Sequence, residues 1–349
     1  MKIVHFAPFA PNACGLYEAA RDMIRADMHS RHDVYLVDTG IHTDGKQQPG
    51  KIGAIDKRGD KAITTSHPDT VFDADVIVAH TGVSDNWLVK CTAPIVWIIH
   101  GRPAACFRPE QNGGRKAYSL IAELAKWPRV AKMVHFWDYH TPFWEPIIPE
   151  NKLVCLDAPP IDERRFAPEG KVKDYGVMGG KVNVMIAESW REDIDIYEIA
   201  HGALMAADMV AGMKVHMYAM ETPLGCWSHI IDAFRQKDIK GELYGRIPQI
   251  EQHYRAADIL LSPQRIMTRS IGEALSCGTP VIAGIGNYDA TWTCDTANPR
   301  ETADMISYAT VEMQHRPEDV KERVDEARSR LSLSAYSMKM NRIYEEITS

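Results

Sequence analysis

The stretch SIGEALSCGTPVIAG, residues 270–284, places a short amphipathic run directly before an apolar strand. Gly-Thr-Pro ends the run, and VIAG follows it. The run carries a single carboxylate, Glu273, near its start. Such a carboxylate is either an acid of the first helical turn or a ligand for something bound at the helix N-terminus. The stretch by itself leaves both interpretations open.

Outward from this stretch, short β-branched runs alternate with longer segments of helical pattern. That alternation is typical of parallel sheets covered by helices, and therefore of an α/β fold. Strands are predicted at KIVHFA, DVYLVD, DVIVAH, PIVWIIH and KMVHFW, and in the second half at NVMIAES, KVHMYAM, KGELYG, DILLSP and TPVIAG. Helices are predicted at 16–28, 202–212 and 248–258.

The length of 349 residues predicts two domains, because single hydrophobic cores stop growing below this size. Residues 157–181 are rich in Pro, Gly and charge and are predicted to be the linker. Open α/β sheets bind ligands beyond the carboxyl ends of their strands. Two such domains therefore predict a ligand-binding cleft.

Composition and charge exclude several classes of protein. The first apolar run is short and is broken by His5 and Pro8, so we expect no signal peptide, and no later segment approaches a membrane span. We therefore expect a cytoplasmic protein. The net charge of −7 disfavours bulk attraction to nucleic acid or anionic membranes. Seven cysteines without a Cys-x-x-Cys pair disfavour a disulfide framework or a structural zinc site, and we predict no metal.

Several common enzyme motifs do not occur. The loop after the first strand carries a single glycine, Gly15, so a dinucleotide-binding G-x-G-x-x-G is not supported. The chain contains neither a G-x-x-x-x-G-K-[ST] phosphate loop nor a G-x-S-x-G nucleophile elbow.

Two consecutive stretches resemble the donor-binding half of retaining glycosyltransferases with the two-domain GT-B fold, especially glycosyltransferase family 4. They are LYGRIPQIEQHYRAADILLSP and SIGEALSCGTPVIAG. Other marks follow in the family's order: Gly15 in the first loop, His100 after PIVWII, APPIDERRFAPEG at the linker, and YSMKMNRIYEEI as a last helix that crosses back to the first domain. The resemblance implies two Rossmann-like domains, an acceptor-side domain over 1–165 with 335–349 packing back on it, and a donor-binding domain over 166–334.

The resemblance implies transfer of a sugar from a UDP- or GDP-linked donor to a hydroxyl acceptor, with retained configuration and without a metal or cofactor. A carboxylate can accept from two vicinal hydroxyls, so Glu273 suits the ribose. The amides near Ser270 and Ile271 suit the phosphates, because a helix start favours an anion. The residues assigned to the donor are Gly15, Arg191, Tyr244, Gly245, Arg246, Ile247, Arg269, Ser270, Ile271 and Glu273.

The sequence departs from the family at the sugar side. The family usually has a second Glu eight residues before Glu273, and that position is Arg265 here. The loop AESWREDID lacks the family's Gly-Arg and Lys, and Arg191 stands in for the Lys. We assign His100 and Arg265 as the catalytic residues. We hypothesise that at least one of Arg265 and Arg269 contacts the diphosphate or an acidic group on the donor, and that the other is solvated. A histidine at a strand end has a simpler alternative, a hydrogen bond to loop backbone.

The acceptor side has one unusual feature. Residues 101–133 contain seven basic and two acidic residues within a chain of net charge −7. This segment is either an ordinary solvated surface or a site for an anionic acceptor, with Arg102, Arg108, Arg115 and Lys116 as the candidate contacts. DNA with hydroxymethylated bases is one such acceptor, since some viral glucosyltransferases of this architecture modify it. Phosphorylated lipids and acidic glycans are others.

Two further functions remain open at this point. A sugar-nucleotide epimerase shares the architecture but needs acid and base groups around the sugar. A non-catalytic nucleotide-sugar binder is motivated by Arg265 in place of the family's Glu.

Overall fold

The computed structural model describes residues 1–7, 15–38, 73–80, 92–100, 103, 114–188, 194–218, 224–245 and 247–349. The chain divides into two compact units, Met1–Pro160 with Ser332–Ser349, and Ile161–Leu331. Each unit contains one six-stranded sheet in which every described strand pair is parallel. The predicted α/β class with two Rossmann-like sheets is confirmed.

The described elements of the first unit are six strands and the helices that follow some of them. Its elements up to residue 156 are β1 (Lys2–Ala7), α1 (Gly15–His29), β2 (Asp33–Asp38), β3 (Val76–His80), β4 (Ile95–Ile98), α2 (Gly114–Leu124), β5 (Val130–Phe136), α3 (Thr141–Trp144) and β6 (Leu153–Leu156). The sheet order is β2-β1-β3-β4-β5-β6. β3 and β4 are wholly buried, as expected for parallel strands covered on both faces.

The second unit repeats this plan. Its elements are β7 (Val182–Ala187), α4 (Ile196–Ala206), β8 (Met213–Tyr218), α5 (Leu224–Gln236), β9 (Lys240–Leu243), α6 (Ile250–Tyr254), β10 (Ile259–Leu261), α7 (Arg269–Ser276), β11 (Val281–Gly284), β12 (Trp292–Cys294), α8 (Pro299–His315) and α9 (Pro317–Leu331). The sheet order is β12-β11-β10-β7-β8-β9.

In each sheet the unit's first strand lies in the interior. β1 lies between β2 and β3, and β7 lies between β8 and β10. The strand order therefore reverses beside β1 and beside β7. Ligands of open α/β sheets bind beyond the carboxyl ends of the strands at such reversal points.

The last helix, α10 (Leu333–Thr348), packs on α1 in the first unit. Ser337 Oγ donates to the carbonyl of Ala26 at 2.8 Å, and the Tyr344 hydroxyl donates to Asp27 Oδ2 at 2.7 Å. Met340 and Tyr344 are fully buried there. The predicted return of the chain to the first domain is confirmed.

The helix predicted at 202–212 is displaced by several residues, because α4 covers Ile196–Ala206. The residues after α4 turn instead and end at Gly212, whose φ of 74° favours glycine. Gly202 lies inside the helix, where an added Cβ would meet Thr302 of α8 at 2.5 Å. α4 and α8 therefore pack closely at Gly202, and the periodicity of the sequence does not reveal this contact.

Two short strands were not predicted, and a predicted helix is shorter than expected. β6 is a partly exposed edge strand, and β12 has three residues, so neither shows a long apolar run. The helix predicted at 248–258 is limited to the five residues of α6.

A buried carboxylate ties three elements of the second unit together. Glu312 Oε2 of α8 accepts from Trp292 Nε1 of β12 at 2.6 Å and from Arg323 Nη2 of α9 at 2.7 Å. The bond from Arg323 is the main reason that the pKa of this carboxyl lies below its usual value. A group whose pKa is depressed by folding stabilises the fold above its unfolded pKa, and this contribution is lost as the pH falls.

We expect Glu312→Gln to lower the free energy of unfolding at neutral pH by about 1–3 kcal/mol, because a buried charge-assisted bond is lost. The difference from the wild type should narrow as the pH falls below the ordinary carboxyl pKa of 4.5. Urea unfolding at several pH values measures this, with the exposed Glu322→Gln as the control. A difference that stays constant across that range would contradict the assignment.

Candidate functional site

The carboxyl edge of the second sheet collects polar side chains where its strand order reverses. Glu188 directly follows β7, and Ser262 directly follows the neighbouring β10. Ser262 Oγ donates to Glu188 Oε1 at 3.0 Å, and Gln264 Nε2 donates to Glu188 Oε2 at 3.3 Å. The Glu188 carboxylate therefore connects the two strand ends on either side of the reversal.

The N-terminus of α7 reaches the same carboxylate. Ser270 Oγ contacts Glu188 Oε1 at 3.4 Å and the Thr268 hydroxyl at 3.1 Å. Thr268 is the N-cap residue, and its side chain makes no capping bond to the helix backbone. The first-turn amides of α7 therefore receive no bond from the N-cap side chain, and such amides are suited to hydrogen-bond an anion.

Glu273 lies in the second turn of α7, so the interpretation as a first-turn acid is wrong. Its side chain is buried, with Oε1 accepting from Arg269 Nε at 2.7 Å. The Tyr254 hydroxyl lies 3.4 Å from Oε2, which is long for a hydroxyl bond to a carboxylate. Burial, followed by the charge of Glu273, raises the pKa of Tyr254 well above its usual value. The carboxylate is fixed in place by groups on two helices.

Arg265 lies in the loop between β10 and α7 and is exposed, with 62% of its side-chain surface accessible. Its Nη2 lies 3.7 Å from Asp195 Oδ2 and 3.9 Å from Asp295 Oδ1. Thr296 Oγ1 holds Asp195 through a 3.0 Å bond. Arg265 thus occupies an open position between two carboxylates, whereas Arg269 is held by Glu273.

An aromatic cluster follows β8 and β9 at the same edge. Tyr244 stacks on Tyr218 with ring centroids 5.1 Å apart, and His253 meets Tyr244 edge-on at 5.1 Å. Burial lowers the pKa of His253 to about 4, and its Nδ1 forms a hydrogen bond with the Tyr218 hydroxyl at 2.5 Å. Lys173 Nζ lies 5.8 Å from the centroid of the Tyr244 ring. These contacts fix the orientation of Tyr244.

The first unit has its own polar series where its strand order reverses. His5 Nε2 lies 2.8 Å from Asp27 Oδ2, His5 Nδ1 lies 3.2 Å from His80 Nε2, and His80 Nδ1 lies 2.8 Å from His100 Nε2. Burial lowers the pKa of His100 to about 3 and that of His80 well below its usual value. His100 therefore contacts the side chain of His80 at the end of β3.

The other predicted residues are divided between the units. Gly15 is the first residue of α1, and Arg115 and Lys116 lie in the first turn of α2. Ile271 is fully buried, so its side chain does not reach a ligand and only its backbone amide is suited to the predicted role. Gly245 is exposed, and Ile247 is partly buried. Four predicted residues lie outside the described part of the chain: Arg102, Arg108, Arg191 and Arg246.

Several polar residues at these edges were not singled out from the sequence. They are the acids and polar partners that directly follow strands or lie near their ends: Asp195, Glu188, Ser262, Gln264 and Thr296. The available signal was their position just after predicted strands, because the carboxyl ends of parallel strands share one edge. The contacts that join Asp27, His5 and His80 were not predicted, because these three residues lie far from one another in the sequence.

Within the ranges that the structure describes, no group of three or more His, Cys, Asp or Glu side chains is placed to hold a metal ion. The same ranges contain no helix long and apolar enough to cross a membrane.

No protein-family model and no curated protein sequence matches the chain. Solved structures match it over its full length. A glycosyltransferase from Rickettsia africae ESF-5 superposes with a TM-score of 0.68 at 14% identity, covering 99% of this chain and 98% of that chain. HepE (Alr3699) of Anabaena in complex with UDP-glucose gives 0.68 at 13% identity, covering 99% and 100%.

A third match is an alpha-glucosyltransferase in complex with UDP and a 13-mer DNA containing an HMU base. It gives a TM-score of 0.62 at 14% identity and covers 100% of both chains. At identities this low, the superpositions show the fold alone. Together with the two parallel six-stranded sheets, they confirm the predicted GT-B architecture.

Proposed function

We propose that the protein is a glycosyltransferase that moves a sugar from a nucleotide-sugar donor, UDP-linked by preference, to a hydroxyl acceptor. The observation that carries the proposal is the polar edge of the second sheet, where Glu188, the start of α7 and Glu273 lie together. Structural neighbours of the same fold include complexes with UDP and UDP-glucose, which supports the choice of donor.

Each part of the donor matches a group at this edge. The diphosphate suits the first-turn amides of α7, where the N-cap side chain makes no capping bond, together with Arg265. The ribose suits Glu273, a buried carboxylate held by Arg269 on the same helix, because a carboxylate can accept from two vicinal hydroxyls. The base is assigned to the backbone beside Tyr244 and Gly245, where the Tyr244 ring is fixed by its neighbours.

The proposed reaction is displacement at the anomeric carbon. Negative charge develops on the leaving diphosphate, and the helix start and Arg265 stabilise it without a metal ion. His100 keeps the catalytic role that the resemblance implies. Retention of configuration, as in glycosyltransferase family 4, is part of the proposal and is supported by the resemblance around Glu273.

The decisive experiment incubates the protein with UDP-glucose and a panel of hydroxyl acceptors and measures UDP and glycosylated product. The proposal expects UDP release only with an acceptor. Epimerised donor without acceptor would establish the epimerase instead, and donor affinity without UDP release for any acceptor would establish a binding protein.

Glu273→Gln is expected to weaken UDP binding by about 1.5–3 kcal/mol, roughly 10–150-fold in Kd, because a charge-assisted bond to the ribose is lost. Calorimetric titration measures the affinity, and thermal unfolding checks the fold. The matched control is Glu312→Gln, which removes another arginine-paired buried carboxylate of the same unit. Equal UDP affinity in Glu273→Gln and the wild type would refute the ribose assignment.

Arg265→Ala and Arg269→Ala should have different effects on ligands with and without phosphate. Arg265 is exposed, so its loss should weaken UDP and leave uridine unchanged. Arg269 holds Glu273, so its loss should weaken both ligands. The comparison needs the UDP affinity and the uridine affinity of each variant, and their ratio isolates the contribution of the phosphates. If neither variant changes that ratio, the phosphate role of Arg265 is wrong.

A DNA acceptor is the second candidate, for two reasons. The 101–133 segment is strongly basic, and a neighbour that matches over its full length is a glucosyltransferase bound to DNA with a modified base. An enzyme of this kind must expose the base by flipping it out of the stack. Lys132 of this segment already pairs with Glu346, so it is partly neutralised.

If the segment follows a phosphate backbone, duplex binding should weaken steeply with added salt. Replacing Arg115 and Lys116 together by Gln should reduce the slope of log K against log salt by about two phosphate contacts' worth. Fluorescence anisotropy at several salt concentrations measures the slope. If the protein does not bind duplex DNA at low salt, or if the double substitution leaves the slope unchanged, DNA is not the acceptor. Either result favours a small or glycan acceptor.

A further inference from the structure

The side-chain amide of Asn287 is buried without a hydrogen bond in the loop that joins β11 to β12. Asn287 is 2% exposed, and neither Oδ1 nor Nδ2 has a hydrogen-bond partner among the residues that the structure describes. Every residue from 247 to 349 is described, so this loop and the loops that follow β10 and β12 are included. Nearly all buried polar groups in folded proteins are hydrogen-bonded, and a buried amide without a bond costs stability. The amide therefore needs an explanation beyond packing.

The two usual reasons for an asparagine in a turn do not apply to Asn287. Asparagine tolerates a positive φ, but the described residues other than glycine that have a positive φ do not include Asn287. The asparagine side chain can also bond to the backbone two residues on, but Oδ1 of Asn287 accepts no bond within the described chain. The backbone closes the turns instead, with Asn287 N donating to the carbonyl of Gly284 at 3.1 Å and Ala290 N donating to the carbonyl of Asn287 at 3.2 Å. Local structure thus does not account for the amide.

The loop of Asn287 lies at the carboxyl edge of the second sheet, against the loop that carries Arg265. β10 and β11 are parallel neighbours, so the loops that follow them leave the sheet at the same edge. Gly284 N donates to the carbonyl of Gln264 at 3.0 Å. A Cβ added at Gly284 would lie 2.8 Å from Arg265 Cγ, and one added at Gly286 would lie 3.4 Å from the Arg265 carbonyl oxygen. The two glycines therefore allow this loop to lie directly on Arg265, the residue assigned to the diphosphate.

The residues that flank Asn287 leave its loop open to solvent on the outside. Ile285 is 59% exposed and Tyr288 is 87% exposed. Gly286 has a φ of 103°, a conformation that favours glycine. Because Ile285 and Tyr288 bury little surface, an outward shift of residues 285–288 loses few contacts. Such a shift is the route by which a ligand group reaches the buried amide.

The chemistry of the amide selects the part of the donor that fits it. A primary amide donates through Nδ2 and accepts through Oδ1. The group that suits it is uncharged and can both donate and accept, and a sugar hydroxyl is such a group. An ionised phosphate only accepts, and it is matched better by the neighbouring Arg265. The transferred sugar, and not the diphosphate, therefore fits Asn287.

We propose that Asn287 is a specificity-determining residue that binds a hydroxyl of the transferred sugar and is unpaired only while the donor is absent. This inference rests on the proposed function, in which the donor lies at this edge of the sheet. It assigns a contact on the sugar side of the donor, where the sequence has Arg265 in place of the second Glu usual in family 4. Pairing removes the cost of the buried free amide, so the gain is limited to ligands that contain the sugar.

The test compares Asn287→Leu with the wild type by calorimetric titration of UDP, UDP-glucose, UDP-galactose and UDP-N-acetylglucosamine. Leucine is close to asparagine in size and removes both polar atoms. We expect the Kd for UDP to stay the same. The Kd for the UDP-sugar that the wild type binds most tightly should rise about 2- to 12-fold, as the loss of one neutral hydrogen bond predicts.

Thermal unfolding without ligand gives a second readout. Because the free amide has no bond to lose, Asn287→Leu should unfold at the same temperature as the wild type or at a higher one. The control is Asn298→Leu, since Asn298 Oδ1 accepts from Arg300 N at 3.1 Å at the start of α8. That variant should unfold at a lower temperature and keep the wild-type ratio of UDP-sugar affinity to UDP affinity.

Two results with Asn287→Leu would overturn the inference. One is an unchanged ratio of UDP-sugar affinity to UDP affinity. The other is a lower unfolding temperature, because it would show that the amide already has a partner, such as a buried water, in the free protein.

The wild type supplies a check that needs no substitution in the protein being measured. The side-chain ¹⁵N–¹H signals of Asn287, identified by their absence from Asn287→Leu, should move when the UDP-sugar binds and stay in place with UDP. Signals that respond equally to both ligands would also overturn the inference. Wild-type protein that binds neither UDP nor any UDP-sugar rejects the proposed function, and this inference with it. Wild-type protein that binds them, with an unchanged affinity ratio in Asn287→Leu, rejects this inference alone.

Discussion

The first strand of each unit is enclosed on both sides by parallel neighbours, and this constraint determines where chemistry can occur. The chain leaves β1 toward β2 on one side and reaches β3 on the other, and β7 has the same relation to β8 and β10. Ligands of open α/β sheets bind beyond the carboxyl ends of the strands at such a reversal of strand order. The histidine series lies at this reversal in the first unit and Glu188 in the second.

Carboxyl groups in both units are held by partners on the same element or on neighbouring elements. Glu188 is held by two strand-end side chains and by Ser270. Glu273 is held by Arg269, and Asp27 by a histidine and a tyrosine. Burying a carboxylate costs free energy unless hydrogen bonds and opposite charge compensate it. The partners also orient each carboxylate.

The fold could be predicted from the sequence to a large extent, because parallel strands covered by helices leave long β-branched runs and the order of marks resembles one family. The amphipathic run after Arg269 and the strand VIAG are both present in the structure. The predicted position of α4 differs from the observed one, because the close contact between Gly202 and Thr302 forms only in the folded chain. The site was harder to predict than the fold. Glu273 was identified, but its pairing with Arg269 depends on the phase of the helix. The contact between His5 and His80 joins residues that are 75 positions apart.

The central claim is that a nucleotide diphosphate sugar binds at the carboxyl edge of the second sheet, against the start of α7. Hydrogen–deuterium exchange of the intact protein, with and without UDP-glucose, tests both the binding and its place. The account predicts slower exchange in peptides that cover the loop after β10 and the first turns of α7, and less protection with uridine than with UDP. Calorimetrically detected binding of UDP-glucose that leaves exchange in those peptides unchanged would contradict it.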